Sequence, residues 1–412
     1  MKTIIDELEW RGLIKQLSDK GKLLESQKNK KAIYCGFDPT AQSLHVGHLI
    51  QIMLLKRFSD FGFKPIALLG GATGMVGDPS GKNQERILLD EKSIMNFTSS
   101  INNQLNKFLK NIIILNNLEW YANFKFLNFL RDYGKSFNIA YLLSKDIISK
   151  RIDSGISYTE FSYNLLQAYD FFHLYKNYEC DVQIGGSDQW GNITSGLELI
   201  KKQEGINNTS SGVTIQLLLK KDGLKFGKTG TNTIWLDPNL TSSYEFYQFF
   251  LNQEDSEVEQ LLKFLTFYTE EEIEDILSEH NKNVKARHAQ LKLAEAVLLF
   301  VYDEKELLKV KKITEALFTD QFDSLTEEEL KLLGQSIEKY QLSDEQNILD
   351  LLCNSKIAQS KREAREFINN NSIRVNSKII TDEKMSINKL TFFHNHYLIL
   401  KKGKKKHFLI IK

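Results

Sequence analysis

The chain reads as a doubly wound α/β protein: a parallel sheet flanked by helices, followed by an all-helical segment and a small α+β domain. Two observations predict this. Short apolar runs alternate with helical patterns from Ala32 to about Leu219, as βαβ units require. From about Ser242 to Leu333 the pattern is helical throughout, with acidic helix starts such as Thr269-Glu270-Glu271-Glu272. A length of 412 residues predicts two or three domains, each with its own core.

The predicted strands are Ile33–Gly36, Ile66–Leu69, Ile112–Leu115, Asp181–Ile184 and Val213–Leu217. Such a sheet binds ligands at the carboxyl ends of its strands, near the switch in strand order. We divide the chain into a catalytic domain (1–222), a mobile lysine loop and connector (223–240), a helical domain (241–334), a polar linker (335–346) and a C-terminal domain (347–412). In the last, Ser360-Lys361-Arg362-Glu363 reads as a capping box opening a short helix. That helix buries Ala364, Phe367 and Ile368 and presents Lys361, Arg362 and Arg365; a strand carrying Arg374 follows. A basic helix that merely solvates itself fits these residues equally well. Phe408–Ile411, set among terminal lysines, favour an ordered strand over a solvated tail.

Composition narrows the class. Hydrophobic content of 42% with 26% charged residues is that of a soluble globular protein. No apolar run approaches a membrane span of 18 or more residues, and the start has no secretory segment. Three scattered cysteines indicate neither a disulfide framework nor a zinc site, so a cytoplasmic location is expected. A net charge of +1 does not itself suggest a nucleic-acid partner, but RNA binding needs only a local basic face.

The most informative stretch is Asp38-Pro39-Thr40-Ala41-Gln42-Ser43-Leu44-His45-Val46-Gly47-His48. It joins a strand to a helix, which aims backbone N–H groups and a positive helix end at an anion. His45 and His48 share one helix face, and Gly47 leaves room for a flat ring. Alone, this motif reads equally well as helix capping. A second element about 180 residues downstream, Lys225-Phe226-Gly227-Lys228-Thr229, lies among glycines and reads as a mobile loop able to neutralise a triphosphate.

Together the two elements resemble the paired signatures of bacterial-type tyrosyl-tRNA synthetases, class I aminoacyl-tRNA synthetases, and the resemblance runs over nearly the whole chain. Lys384-Met385-Ser386 spells the start of the commoner second signature but lacks its second lysine. The resemblance implies a Rossmann-like catalytic domain, ATP as substrate with Mg²⁺ and no structural metal, and activation of tyrosine followed by transfer to its tRNA. It also implies a homodimer, a C-terminal RNA-binding module using Lys361, Arg362, Arg365 and Arg374, and neither DNA nor membrane as partner.

Tyr163, Gln167 and Asp170 occupy one face of a helical stretch, Glu160–Phe172. A polar stripe of this kind lines a cavity or faces water. By resemblance, Asp170 and Tyr34 bond the phenolic hydroxyl, and Tyr163, Gln167 and Asp78 hold the ammonium. Gln189, supported by Gln183, meets the carboxylate. The glycine-dense run Gly70–Lys82 fails the Walker spacing and reads as backbone approaching the substrate, placing Asp78. The resemblance further assigns Cys35, Gly36, Asp38, Gly47, Gly186, Asp188 and Lys228 to ATP. Thr40 and His45 would meet the γ-phosphate beside His48, with Lys82, Arg86, Lys225, Lys228 and Thr229 at the departing pyrophosphate.

The alternatives are a tryptophanyl-tRNA synthetase-like enzyme, a small HxGH nucleotidyltransferase and a synthetase-derived RNA-binding protein without catalysis. The pairing of Asp170 with Tyr34 disfavours the first. The loop lysines and long C-terminal region disfavour the second, and the intact signatures disfavour the third.

Overall fold

In the computed structural model, which describes residues 2–80, 88–145, 148–149, 155–218, 226–229, 232–342, 347–403 and 406–412, the chain forms two compact units. The first comprises Met1–Asp237 and Glu254–Ala289; the second comprises Pro238–Gln253 and Gln290–Lys412. The segment read as one helical domain is therefore shared between them.

The first unit is built on β1 (Ile14–Leu17), β2 (Ala32–Phe37), β3 (Lys64–Leu69), β4 (Ile113–Asn116), β5 (Cys180–Gly186) and β6 (Ser211–Ile215). Their order is β1-β6-β5-β2-β3-β4. All neighbours pair in parallel except β1, which runs antiparallel to β6. The sequence reading missed β1 because Ile-Lys-Gln-Leu is too polar to resemble a buried strand. The order reverses between β5 and β2, and this switch fixes where a ligand site forms. Central β5 is buried along its whole length, as a strand covered on both faces must be.

The helix Val46–Asp60 leaves the end of β2 and buries Leu49, Ile52, Met53 and Leu55 against the sheet. The helix Tyr158–Tyr178 is longer than the sequence pattern indicated. Ser157 caps its start by accepting from the Glu160 N–H at 3.2 Å, and Glu179 ends it in the left-handed region at φ +52°. It packs with the helix Trp190–Glu204 around Tyr34, Ile66, Leu68, Ala168, Phe171 and Leu199.

Two helices of the later sequence, Asp255–Leu265 and Glu270–Lys282, belong to this unit. The predicted acidic start at Thr269 is a capping box, with reciprocal bonds of 3.2 and 2.7 Å to Glu272. Two buried guanidiniums close the carboxyl end of Asp255–Leu265. Arg11 donates to the Lys263 carbonyl at 2.8 Å and the Tyr268 carbonyl at 2.6 Å, and Arg57 donates to the carbonyls of Phe264 (3.3 Å) and Thr266. Helix ends leave carbonyls without intrahelical partners, and cations there are favoured.

The second unit carries the sheet β11-β10-β12-β13-β9, formed by Lys378–Ile379, Ile373–Val375, Tyr397–Lys402, Lys406–Ile411 and Glu338–Gln341. The terminal strand expected at Phe408–Ile411 is present as part of β13. The polar segment read as linker instead supplies β9, paired in parallel with β13. Its alternation of exposed charge gave no apolar signal. Ser360 caps the helix Lys361–Asn369 through the Glu363 N–H at 3.2 Å, but the Glu363 carboxylate accepts from the Gln359 N–H at 2.6 Å, so the reciprocal half of a capping box is absent. Among the described residues no helix is long and apolar enough to cross a membrane.

Candidate active site

Each of the parallel strands β2, β3, β4 and β5 delivers polar residues at its carboxyl end. Beyond β2, Asp38 accepts from the Tyr163 hydroxyl at 2.8 Å and from the Thr73 hydroxyl, also at 2.8 Å. Thr40 is exposed, its N–H bonded to the Asp38 carbonyl at 2.9 Å. His45 is the N-cap of Val46–Asp60: its Nδ1 accepts from the Gly47 N–H at 3.0 Å, while the His45 N–H donates to His48 Nδ1 at 3.1 Å. A backbone N–H cannot accept, so both Nδ1 atoms are unprotonated and each neutral ring carries its proton on Nε2. The rings lie 4.0 Å apart, inclined by 34°. Capping and function are thus compatible, because these two capping bonds engage only the Nδ1 atoms.

The second signature is fastened to the first. Val46 and Leu236 donate to the carbonyls of Ile234 (3.0 Å) and Leu44 (2.8 Å), bracketing a bridge between His45 and Trp235. Gly227, at φ +90°, packs so closely that a Cβ there would lie 3.2 Å from the Val46 Cβ. A Cβ at Gly47 would lie 2.7 Å from the His45 ring, so Gly47 makes room for that imidazole. Lys228–Thr229 (β7) pair with Asn232–Thr233 (β8) as a short hairpin where the sequence predicted a loop. The side chains of Lys228 and Thr229, and all of Lys82, Arg86 and Lys225, lie outside the described residues.

Tyr163, Gln167 and Asp170 do line one polar face, and each is tied to a different strand end. Asp170 is 2% exposed and accepts from Asn117 Nδ2 at 3.0 Å and from Trp120 Nε1 at 2.9 Å. Burial pushes its carboxyl up to about 7, against the opposing pull of those two donors. Tyr34 stands nearby on β2. Burial, and then the Asp170 charge, push its hydroxyl well above the usual phenol range. That hydroxyl is buried with no hydrogen-bond partner among the described residues. An orphaned buried hydroxyl costs about 1–3 kcal/mol, so a carboxylate and a phenol here fit a ligand hydroxyl that satisfies both.

One turn nearer the start of the same helix, Gln167 donates to Gln189 Oε1 at 3.3 Å, and Gln189 donates to Asp78 at 2.8 Å. Asp78 also accepts from the Ser80 N–H at 2.9 Å. Gln183 does not support Gln189, contrary to expectation. It pairs in register with Tyr34 on the adjoining strand, and its Oε1 is buried without a partner among the described residues. Gln189 is supported instead by Gln167 and Asn192. Asp188 follows Gly186 at the end of β5, where a Cβ on the glycine would meet the Asp188 carboxylate at 2.6 Å. Gly36 is exposed; Cys35 is buried, its thiol pushed up to about 12 by burial.

Sequence reasoning missed Thr73, Asn117, Trp120 and Asn192. Asn117 directly follows β4, so the strand-end rule pointed to it, and Trp120 lies one helical turn on. Among the described residues no cluster of three His, Cys, Asp or Glu forms a metal site.

In the second unit, Lys361 pairs with Asp350 at 2.8 Å and Arg365 with Glu383 at 3.0 Å. Arg374 lies 3.8 Å from Asp320, and Arg362 is 3.4 Å from Glu366. The predicted basic face is therefore interleaved with acids.

A family model described as tRNA synthetases class I (W and Y) matches residues 26–319, and one for a tyrosine–tRNA ligase SYY-like C-terminal domain matches residues 329–410. A tyrosine–tRNA ligase of Mycoplasma mycoides is 49% identical over 409 residues, covering 99% of each chain. The chain belongs to the class I tyrosyl-tRNA synthetases. Tyrosine–tRNA ligase 1 of Bacillus licheniformis shares 46% identity over 419 residues, 100% of this synthetase and 99% of the relative. A C-terminally truncated mitochondrial tyrosyl-tRNA synthetase of Aspergillus nidulans is similar in structure, with TM-score 0.69 and 33% identity. That match covers 77% of this synthetase and 95% of the other chain.

Proposed function

We propose that this synthetase activates tyrosine with ATP, giving tyrosyl-adenylate and pyrophosphate, and transfers the tyrosyl group to the terminal adenosine of its tRNA. The observation that carries the choice of amino acid is the buried Asp170 carboxylate beside the Tyr34 hydroxyl, which has no partner among the described residues. A phenol entering there donates to Asp170 and accepts from Tyr34; an indole or a phenyl ring cannot do both. The tryptophan-specific alternative fails on that chemistry.

The tyrosine carboxylate is ionised at neutral pH and attacks the α-phosphate without a protein base. The protein's part is to position the reactants and stabilise charge as it develops. Asp78, Gln167 and the Tyr163 hydroxyl oxygen supply acceptors for the ammonium. The Nε2–H donors of His45 and His48, with the Thr40 hydroxyl, face the triphosphate. Lys82, Arg86, Lys225 and Lys228 take the pyrophosphate charge, and Asp188 accepts from the ribose. Mg²⁺ enters with the nucleotide as part of the substrate. Lys361, Arg362, Arg365 and Arg374 contact tRNA phosphates by exchanging their acidic neighbours, in the cytoplasm where tRNA is charged.

The reading includes a homodimer. It is supported by the exposed apolar side chains Phe126, Leu127, Ile139 and Leu143 on two helices successive in the chain, where Leu127 is 74% and Ile139 68% exposed. Contiguous exposed apolar side chains of this size mark association surfaces.

Pyrophosphate exchange with each of the twenty amino acids tests the reading. Tyrosine alone should support exchange; exchange driven by tryptophan, or by none, overturns it.

A further inference from the structure

Asn192 sits on the third position of the helix Trp190–Glu204, 3% exposed. Its Nδ2 faces Gln167 Oε1 at 2.8 Å, Gln189 Oε1 at 3.3 Å and Ser80 Oγ at 3.4 Å. On its other side, Oδ1 accepts from Asn164 Nδ2 at 2.7 Å. Four amides thus form one connected set that ends on Asp78.

The direction of every bond in that set follows from Asp78. A carboxylate accepts and does not donate, so Gln189 must turn its NH₂ toward Asp78. Its Oε1 then points back at Gln167 and Asn192, which must both present NH₂. Asn192 therefore turns Oδ1 toward Asn164, and Gln167 receives the Asn192 donor on its own carbonyl. Asn164 ends the chain with Oδ1 buried and unpartnered among the described residues.

We propose that Asn192 is a positioning residue for recognition of the tyrosine ammonium: by donating to Gln167 and Gln189 it holds both amides in the direction that Asp78 sets, without touching substrate. This rests on the reading that Gln167 and Asp78 hold that ammonium. With Asn192 in place, Gln167 keeps an acceptor oxygen at the site and Gln189 keeps a donor on Asp78. Asn192→Asp preserves shape but offers only acceptors. Both glutamines must then turn their NH₂ groups to it, which removes the acceptor from the ammonium site and sets an amide oxygen against Asp78.

The test compares tyrosine with 3-(4-hydroxyphenyl)propionate, which keeps the phenol and carboxylate and lacks the ammonium. Binding of each is measured by equilibrium dialysis for the wild-type full chain, Asn192→Asp and Asn192→Ser. Losing the buried donor should weaken tyrosine binding about tenfold or more, with binding of the deamino compound changed less than about twofold. The loss should largely vanish when Gln167→Ala is already present, since Asn192 acts through that residue. Equal weakening of both ligands, no weakening, or additive losses in the double variant would each overturn the proposal. If Asn192→Asp does not fold, Asn164→Ala, one bond farther from the ligand, should show the same ammonium-selective loss in smaller measure. Wild-type protein that fails to exchange pyrophosphate with tyrosine would instead sink the functional reading itself.

Discussion

Asp170 is held between opposed influences. Burial raises its carboxyl to about 7, while Asn117 and Trp120 donate to its ionised form. A tyrosine phenol donating to it favours the same ionised form. Below about pH 7 the empty site carries a proton that binding must release, so tyrosine affinity should fall as pH drops from about 7 toward 5. Calorimetry in two buffers of different ionisation enthalpy would detect the released proton; flat affinity and no release would refute the assignment. The folded protein also holds this proton at a pH where an unfolded chain, with the ordinary aspartate value of 3.8, has lost it. Stability should therefore decline as pH rises between those values, and Asp170→Asn should remove that slope. The same substitution should reduce discrimination against phenylalanine. The imidazoles make the contrasting case. Replacing Thr40 with alanine and His45 with glycine should leave tyrosine binding nearly unchanged and slow adenylate formation by at least a hundredfold, about the effect of removing one donor aimed at transition-state charge. Equal losses in both would show that they bind the ground state.

Among elements, the buried pair Arg11 and Arg57 joins the carboxyl end of Asp255–Leu265 to the sheet unit. They are not equivalent. Arg11 pairs with Glu7 and reaches the carbonyls of Lys263 and Tyr268, whereas Arg57 leaves Nε and Nη1 without partners among the described residues. Removing a buried guanidinium that bonds through one nitrogen only forfeits less than removing one that is ion-paired and bonded through all three. Arg11→Met should cost about 2–3 kcal/mol in denaturant unfolding and Arg57→Met distinctly less. The reverse order would show the two share the carbonyls differently. What the sequence displayed at this scale followed apolar content. Buried β2, β3 and β5 were legible because both faces are covered and the runs are apolar. Edge strands β1 and β9 were not, because Ile-Lys-Gln-Leu and Glu-Lys-Tyr-Gln show their polar sides to solvent. Within the site, Tyr163, Gln167 and Asp170 were legible through helical spacing. Asn117 was within reach of the strand-end rule, whereas Trp120 and Asn192 were hidden because their roles come from contacts between distant strand ends, which no local spacing encodes.

Across the whole molecule, the apolar surface at Phe126, Leu127 and Ile139 carries the expectation of a dimer. Leu127→Asp combined with Ile139→Asp should shift sedimentation from dimer toward monomer while leaving helix content intact; an unchanged oligomer would place the interface elsewhere. The position of β9 bears on how the C-terminal region could be separated. Glu338–Gln341 form the outer rail of the sheet, beside Phe408–Ile411 of β13. A fragment begun at residue 347, where composition changes, would leave that flank bare, with hydrogen-bonding groups and aliphatic side chains open to any other chain. Such a piece should self-associate, whereas one begun ahead of Glu338 should stay monodisperse in light scattering.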